Sequence, residues 1–209
     1  HSFPTRRSSD LMFKVKQLGI DGNVHKWIEN WLSNRKQRVV INGTASDWAP
    51  VTSGVPQGSV LGPVLFIIYI NDIDVGLNNL ISKFADDTKI GNSIITDQDR
   101  MSLQEDLRKI SEWSKRWEMP FNVNKCHILQ VGTRNQKFDY EMNGTKLESV
   151  QHVKDLGVTI STNFKFSQQC KDAAGKANRM LGFINRNFSF KSKDIILPLY
   201  ISLVRPDLE

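Results

Sequence analysis

The stretch SGVPQGSVLGPVLF at residues 53–66 decides the fold class of this chain. Its first half is a loop of glycine, proline and glutamine, and its second half opens an apolar run from Leu61 to Asp72. Because that run is apolar on nearly every side, it predicts a buried helix, in which Pro63 is tolerated only in the first turn. The loop suits close approach to a nucleotide or base, since glycine removes the side-chain barrier and Gln57 both donates and accepts hydrogen bonds. A plain loop-to-helix connection explains the same residues.

Two carboxylates, Asp86 and Asp87, follow in the context KFADDT at residues 83–88. The runs Leu80–Ala85 and Thr88–Ile90 predict two short strands, and the aspartate pair predicts the turn between them. Adjacent carboxylates on a turn offer hard oxygen ligands to divalent cations, as two-metal nucleotidyl transfer requires. Aspartate is also common at turns because its side chain caps local amide groups. From these two residues alone, both interpretations stay open.

Helices and hairpins are predicted on both sides of these stretches. Asp99–Met119 is the clearest helix, with Thr96 or Asp97 as its cap and Pro120 after it. Two Asn-Gly pairs, at residues 42–43 and 143–144, predict tight hairpins. The other predicted elements are a helix over Val24–Leu32 capped by Asp21 or Asn23, strands over Arg38–Ile41, Thr44–Trp48, Phe121–Val123, Ile128–Val131 and Leu156–Ile160, and helices after Phe166 and near Ser192.

Composition excludes several protein classes. The chain has 209 residues, two cysteines far apart in sequence and four histidines without metal-ligand spacing, which excludes a disulfide framework and a cysteine-rich zinc site. Its longest apolar run, Val60–Ile70, is far shorter than the ~20 residues that cross a bilayer. We therefore expect no membrane partner.

Positive charge is concentrated in the last quarter of the chain. The formal net charge is +6, and residues 165–209 contain eight Lys or Arg against four Asp or Glu. Residues 12–160 contain eighteen against seventeen. A basic segment of this kind is compatible with a polyanion partner, although most charge runs are solvated helix faces.

The first eleven residues, HSFPTRRSSDL, show no apolar period and no core face. Residues 2–11 resemble the translation of a common sequencing adapter. We therefore predict that residues 1–11 are a disordered artefact without function.

Five stretches taken together resemble the reverse transcriptase of non-LTR retrotransposons, of the jockey or chicken-repeat kind. The resemblance covers nearly everything from Met12 to Glu209, and the joint match favours the functional interpretation of the motifs above. The five stretches are SGVPQGSVLGPVLFIIYINDI (53–73), KFADDT (83–88), SEWSKRWEMPFNVNKCHIL (111–129), VKDLGVTIS (153–161) and KANRMLGFINRNF (176–188).

The resemblance implies a catalytic role for three residues. Asp86 and Asp87 would occupy the two-aspartate turn of the polymerase palm, with Asp86 a direct ligand of both Mg²⁺ (or Mn²⁺) ions and Asp87 more peripheral. Lys125, in the stretch Asn122-Val-Asn-Lys125, would assist pyrophosphate departure; as a lone lysine it is equally an ordinary surface charge.

Two further sets of residues would hold the substrates. Gly54, Pro56, Gln57 and Gly58 would line the pocket for the incoming nucleotide and the template base. The primer end would be supported by Leu156, Gly157 and Val158.

The resemblance also implies a fold and a domain order. The fold would be α+β, with an antiparallel palm sheet backed by helices over residues 12–163 and the start of a helical thumb over residues 164–209. The fingers would be missing. The implied partners are an RNA template, a DNA primer and deoxynucleoside triphosphates, at a nuclear site of integration after a cytoplasmic ribonucleoprotein stage.

One departure from the family pattern bears on activity. The family has another catalytic aspartate, on a strand before the helix that precedes Leu18-Gly-Ile20, and no aspartate-containing strand stands there. We therefore expect an inactive fragment of an RNA-directed DNA polymerase. The alternatives are a non-catalytic relic or weak nucleic-acid-binding module, and a group II intron maturase or viral RNA polymerase, which use related aspartate turns.

Overall fold

The computed structural model describes residues 8–132 and 135–209. Helices and mostly antiparallel strand pairs occur in separate blocks along the chain, which is consistent with the α+β prediction. The helices are α1 Ser8–Gln17, α2 Gly22–Leu32, α3 Leu61–Ile70, α4 Asp97–Arg116, α5 Ser167–Asn187 and α6 Lys193–Leu199. The strands are β1 Lys36–Gln37, β2 Val40–Ile41, β3 Thr44–Ala45, β4 Ala49–Pro50, β5 Leu80–Phe84, β6 Asp87–Gly91, β7 His127–Leu129, β8 Glu141–Met142, β9 Thr145–Lys146, β10 Glu148–Val150, β11 His152–Asp155 and β12 Val158–Ser161.

Side-chain caps fix the starts of the two best-predicted helices. Asp21 accepts a hydrogen bond from the amide of Gly22 at the start of α2. At the start of α4, Thr96 and Asp99 form a reciprocal capping box. Each cap satisfies amide groups that have no partner inside the helix. The alternatives Asp21 and Thr96 are thereby confirmed as the caps.

The described residues form two compact units. Unit 1 comprises residues 8–123 and 140–146, and unit 2 comprises residues 124–132, 135–139 and 147–209. The assignment of residues 12–163 to a palm and of residues 164–209 to a thumb stays a prediction.

The core of unit 1 lies between α1, α2 and α3. Leu11 and Val15 of α1, Ile28 of α2, and Leu65 and Tyr69 of α3 are buried in one hydrophobic cluster. Three tryptophans pack against this cluster: Trp31 of α2, Trp113 of α4, and Trp117, which is the C-cap residue of α4. The predicted burial of α3 is thus confirmed only for the face that meets α1, because Val64 and Ile67 on its other side are about half exposed.

The first helix begins earlier than the sequence predicted. Residues 8–11 lie in α1, and Leu11 is only 1% exposed because it packs in the core of unit 1. This differs from the disorder predicted for residues 1–11. The first seven residues lie outside the described part of the chain, and the adapter origin of residues 2–11 stays a prediction.

The described strands pair only in twos. Five pairs are antiparallel, and β7 pairs with β10 in parallel. The strands are two to five residues long, so each pair offers few ladder hydrogen bonds. The single antiparallel palm sheet stays a prediction. The strand predicted over Phe121–Val123 is wrong, because Val123 opens a 3₁₀ turn that ends at Lys125.

The core of unit 2 is helical. Ala177 and Ile184 of α5 pack with Val204, which lies in a π-helical turn after α6. Pro198 interrupts the hydrogen bonding of α6, and the chain continues as this wider turn and then as a 3₁₀ turn. The predicted helix near Ser192 is confirmed, with a change of helical geometry after Leu199. Across residues 8–132 and 135–209, no helix combines the length and the apolar character needed to span a membrane.

Candidate active site

The predicted aspartate turn lies on the hairpin of β5 and β6. Phe84 pairs with Asp87, so the turn residues are Ala85 and Asp86, and Asp87 is the first residue of β6. The predicted turn is therefore shifted by one residue. Both carboxylates belong to exposed residues, while Ala85 has a φ of +50°, which is unusual for a residue with a side chain. The hairpin thus presents two adjacent carboxylates to solvent.

A buried carboxylate holds the base of this hairpin. Asp106 of α4 is fully buried and accepts hydrogen bonds from the backbone amides of Asn78 and Asn79, which immediately precede β5. The side-chain amide of Asn79 also donates to Asp106 over 2.7 Å. Because each Asp106 oxygen receives at least one N–H group, the start of β5 is fixed to α4.

A lysine near the turn ties the hairpin to the end of α3. Lys83 of β5 donates to the carbonyl of Asn71 over 3.0 Å and forms an ion pair with Asp74, at an Nζ–Oδ2 distance of 2.8 Å. Both partners follow α3 directly. The hairpin is therefore held at its base by α4 and along its length by the segment after α3.

The segment that follows α3 is held by the buried ammonium group of Lys14. Lys14 of α1 is 4% exposed, donates to the carbonyl of Tyr69 over 2.6 Å and pairs with Asp72 over 2.5 Å. Its Nζ lies 3.7 Å from the centroid of the Trp117 ring and 4.8 Å from those of Tyr69 and Trp113. A cation in this position is attracted by the electron-rich ring faces. The cluster joins α1, α3 and the C-terminal end of α4.

Burial changes the ionisation of this cluster. Desolvation lowers the pKa of Lys14 below its usual range, and the hydrogen bond to Asp72 opposes that change. Desolvation, followed by the negative charges of Asp10, Asp72 and Glu118, raises the pKa of Tyr69 to about 12. Since Tyr69 donates its hydroxyl hydrogen to the carbonyl of Trp117, the neutral phenol is the form that the fold requires.

The predicted nucleotide-binding loop precedes α3 and leads into its N-terminal end at Leu61. Arg35 donates to the carbonyl of Gly54 over 2.5 Å, and Gly54 is buried with a φ of +80°. Burial lowers the pKa of Arg35. Gln57 and Gly58 lie at the exposed bend that follows.

A close backbone contact closes the same loop. Ser59 donates to the carbonyl of Pro56 over 2.8 Å and accepts from the amide of Gly62 over 2.9 Å. A Cβ atom at Gly62 would lie only 2.6 Å from the Pro56 oxygen. The loop therefore needs glycine at the start of α3, which explains that residue of the motif in physical terms.

The predicted site residues are divided between the two units. Unit 1 holds both the loop, which leads into the start of α3, and the aspartate hairpin, whose Lys83 donates to Asn71 just after the end of α3. At ten residues that helix is about 15 Å long. The unit 1 residues are Gly54, Pro56, Gln57, Gly58, Asp86 and Asp87. Those in unit 2 are Lys125, at the end of its 3₁₀ turn, and Leu156, Gly157 and Val158, at the turn between β11 and β12.

Asp86 and Asp87 are the right type of ligand for a divalent cation, but two carboxylates are too few for a complete site. Carboxylate oxygens are the ligands that Mg²⁺ and Mn²⁺ prefer. Within residues 8–132 and 135–209, no group of three or more His, Cys, Asp or Glu side chains is placed to hold a metal ion. The donor set is therefore incomplete as a metal centre.

Sequence reasoning missed the two groups that position the hairpin. Lys14 lies three residues after Leu11 in the apolar stripe of α1, and that placement of a charge among core positions was the available signal. Asp106 lies one turn before Ile110 on the buried face of α4. A carboxylate on that face indicated donors from another segment.

Comparison with known proteins agrees with the sequence motifs. The model of the family described as "Reverse transcriptase (RNA-dependent DNA polymerase)" matches residues 7–160, a stretch that includes the nucleotide loop, the aspartate turn and Lys125.

Relatives come from insect mobile elements. The "RNA-directed DNA polymerase from mobile element jockey" of Drosophila melanogaster is 29% identical over 76% of this chain, and its namesake from Drosophila funebris is 27% identical over 95%. The "Probable RNA-directed DNA polymerase from transposon X-element" of Drosophila melanogaster is 28% identical over 78%. The matches span only 18% to 23% of the length of these relatives. Since the family model covers well over half of the sequence, the chain belongs to the reverse transcriptase (RNA-dependent DNA polymerase) family.

Proposed function

We propose that this chain is part of a retrotransposon polymerase that copies RNA into DNA. In that reaction the 3′-hydroxyl of a DNA primer attacks a deoxynucleoside triphosphate, a new phosphodiester bond forms and pyrophosphate leaves. The observation that carries the proposal is the pair Asp86 and Asp87, adjacent and exposed at the tip of the β5–β6 hairpin inside the matched stretch, with Asp86 in the turn and Asp87 at the start of β6.

The aspartate pair supplies part of a divalent-metal site. A bound Mg²⁺ would stabilise the charge that develops on the transferred phosphoryl group. With two carboxylates, we expect Mg²⁺ or Mn²⁺ to bind weakly and mostly through water, since Mg²⁺ favours a full octahedral shell. Isothermal titration calorimetry tests this assignment. Micromolar Mg²⁺ affinity that persists in Asp86→Ala would contradict it.

The remaining predicted residues take substrate-holding roles in this proposal. Gly54, Pro56, Gln57 and Gly58 receive the incoming nucleotide and the template base. Lys125 neutralises the departing pyrophosphate. The primer end rests on Leu156, Gly157 and Val158. The exposed backbone bend at Gln57 and Gly58 supports the first of these roles, because it leaves donors and acceptors open to a ligand.

Primer extension tests the polymerase proposal. We expect the 209-residue chain alone to extend no primer with Mg²⁺ or Mn²⁺, because two carboxylates leave the metal ions unfixed and a displacement of ~1 Å costs ~100-fold in rate. Joining the chain to the preceding palm, the fingers and the rest of the thumb of an intact relative should recover synthesis. In that chimera, Asp86→Ala should abolish synthesis.

The matched control is Asp47→Ala, which removes an exposed carboxylate outside the predicted site. It should leave synthesis by the chimera unchanged. Synthesis that survives Asp86→Ala would overturn the catalytic assignment. Synthesis by the 209-residue chain alone, lost in Asp86→Ala, would show that its donor set is sufficient.

A second candidate function is nucleic-acid binding without catalysis. The basic surplus of residues 165–209, together with the incomplete carboxylate set, favours it. Binding of a primer–template duplex should then be weak, indifferent to sequence and steeply dependent on salt, since released counterions drive it. In filter binding, Arg179→Gln and Arg186→Gln on the exposed face of α5 should each lessen the salt dependence. Binding that ignores salt would contradict this candidate.

A further inference from the structure

Unit 2 contains a groove of about 710 Å³, and none of the residues proposed for catalysis or primer support lines it. The groove is formed by three segments, residues 130–132 after β7, residues 149–151 around the end of β10, and residues 162–165 after β12, together with Lys137. Its volume lies in the range of ligand sites in proteins.

Hydrogen bonds between the segments give the groove fixed walls. The carbonyl of Thr162 accepts from the amide of Gly132 over 3.1 Å, and the amide of Thr162 donates to the carbonyl of Gln151 over 3.1 Å. Gln130 spans to the carbonyl of Phe138 over 2.5 Å. The polar walls are thus preformed, which lowers the ordering cost of binding.

The groove lies away from the turn predicted to support the primer. Gln151 and Thr162 flank the open end of the β11–β12 hairpin, whereas Leu156 and Gly157 form its turn. Four pairs of residues separate the two ends, which is a length of about 13 Å. The groove is therefore a separate surface from the turn.

An aromatic ring stands exposed at the groove. Phe164 is 62% exposed, and its φ of +54° is an outlier for a bulky residue. The turn that imposes this backbone is closed by a hydrogen bond from the Phe164 amide to the carbonyl of Ser161 over 2.9 Å. A solvent-facing phenylalanine held against its backbone preference indicates a use for the ring.

The positive charge of the groove favours an anionic ligand. Lys137 and Lys165 line it, and the described lining residues include no Asp or Glu. Amide and hydroxyl groups of Gln130, Gln151 and Thr162 add both donors and acceptors. An aromatic platform, two cations and mixed hydrogen-bonding groups together match a nucleobase with its flanking phosphates.

We propose that this groove binds single-stranded nucleic acid, with one base stacked on Phe164 and the neighbouring phosphates near Lys137 and Lys165. The inference rests on the proposed function for its class of ligand and adds a single-strand path to it. Stacking on an aromatic ring tolerates every base, so the groove should bind without sequence preference.

Binding of a labelled single strand tests the groove directly. The probe is a fluorescein-labelled DNA strand of about 12 nucleotides, which suits the usual site size of single-strand binders. Anisotropy is measured with the full chain in EDTA, so that the result does not depend on a metal site. Phe164→Asn should weaken binding about five-fold or more, the loss expected for one stacked base. Lys137→Gln and Lys165→Gln should each reduce the logarithmic salt slope by about 0.7.

A second readout reports stacking itself. A 2-aminopurine base in the strand should lose fluorescence on binding the native chain and keep it with Phe164→Asn. That variant should fold normally, because asparagine tolerates a positive φ better than phenylalanine. Thermal unfolding followed by circular dichroism checks this point.

Matched controls lie elsewhere in the same unit. Phe190→Ala removes a ring that is 82% exposed, and Lys154→Gln removes an exposed cation on β11. Both should leave affinity, salt slope and quenching unchanged.

Three results would overturn the inference: wild-type affinity and quenching in Phe164→Asn, equal losses in the controls, or equal competition by a polyglutamate peptide, which would indicate an acidic protein partner instead. Each is read without primer extension, so a failure here differs from a failure of the polymerase proposal.

Discussion

In the part of the chain that the structure describes, four hairpins close with two-residue turns, and they fall into two kinds. In the turns at residues 42–43 and 143–144 an asparagine takes the first position, with a φ of +49° or +52°, and a glycine takes the second. In the turns at residues 85–86 and 156–157 the first position has nearly the same φ, +50° and +45°, but holds alanine and leucine. At the first position the positive φ is shared, and only the first pair of turns meets it with asparagine. At the second position Gly157 also has a positive φ, whereas Asp86 does not.

This difference distinguishes the Asn-Gly turns, which only connect strands, from the turns at residues 85–86 and 156–157, which carry residues with proposed functions. Asparagine and glycine accept a positive φ at little cost, whereas an ordinary side chain in that region costs about 1–2 kcal/mol. Such strain persists only where the surroundings impose the geometry. The turn at residues 85–86 has such surroundings, since Asp106 holds the hairpin base and Lys83 holds its edge. Both strained turns carry residues that we propose for catalysis or primer support.

Removing the anchor of the aspartate hairpin should have the largest effect. In Asp106→Ala the amides of Asn78 and Asn79 lose their acceptor, so the free energy of unfolding should fall by about 3 kcal/mol. Urea denaturation measures the loss. Hydrogen exchange should rise at residues 80–91 more than at residues 152–161, because Asp106 anchors the residues that immediately precede β5.

The control for this variant is Asp106→Asn, whose amide oxygen still accepts hydrogen bonds and should retain part of the stability. Equal losses in the two variants would show that the charge rather than hydrogen bonding holds the hairpin. Equal exchange in both hairpins would remove the proposed difference in anchoring.

Exchanging leucine and asparagine between the two kinds of turn should give effects of opposite sign. Leu156→Asn should raise the free energy of unfolding by about 1 kcal/mol, since asparagine tolerates the positive φ. Asn143→Leu should lower it by about the same amount. Midpoints of chemical denaturation decide the signs. If both variants destabilise the chain, Leu156 makes contacts that outweigh its backbone strain.

Breaking the ion pair at the hairpin edge should have a smaller effect. Lys83 and Asp74 are both partly exposed, so their coupling in a double-mutant cycle of Lys83→Met and Asp74→Asn should stay below about 1 kcal/mol and weaken with salt. The exposed pair of Arg108 and Glu105 in α4 is the reference cycle. A coupling near zero at Lys83 would leave Asp106 as the main anchor.

The sequence predicted those parts of the fold that local signals determine. The Asn-Gly hairpins, the Asp21 cap and the Thr96 capping box follow from residue types within a few positions of each other. The adjacent carboxylates were identified in the same way, with a shift of one residue because the positive φ falls on Ala85. Local patterns carried no signal for that shift.

Long-range pairing escaped sequence reasoning. The partners of Lys14 and Asp106 lie 58 and 28 residues away in sequence, and no local pattern names them. The parallel pairing of β7 with β10 joins strands that flank another hairpin, so proximity along the chain is equally uninformative. Each of these contacts depends on how several elements pack together.

The smallest and sharpest test concerns Ala85 itself. Ala85→Gly relieves the cost of a positive φ but adds the backbone entropy that glycine loses on folding, so the net gain should be about 0.5 kcal/mol. The matched control is Ala45→Gly in β3, where no positive φ exists and glycine should cost about 0.5 kcal/mol. The same substitution should thus stabilise one hairpin and destabilise another, as thermal unfolding of the two variants would show. A loss of stability in both variants would mean that Ala85 is not strained, and the comparison would then rest on Leu156 alone.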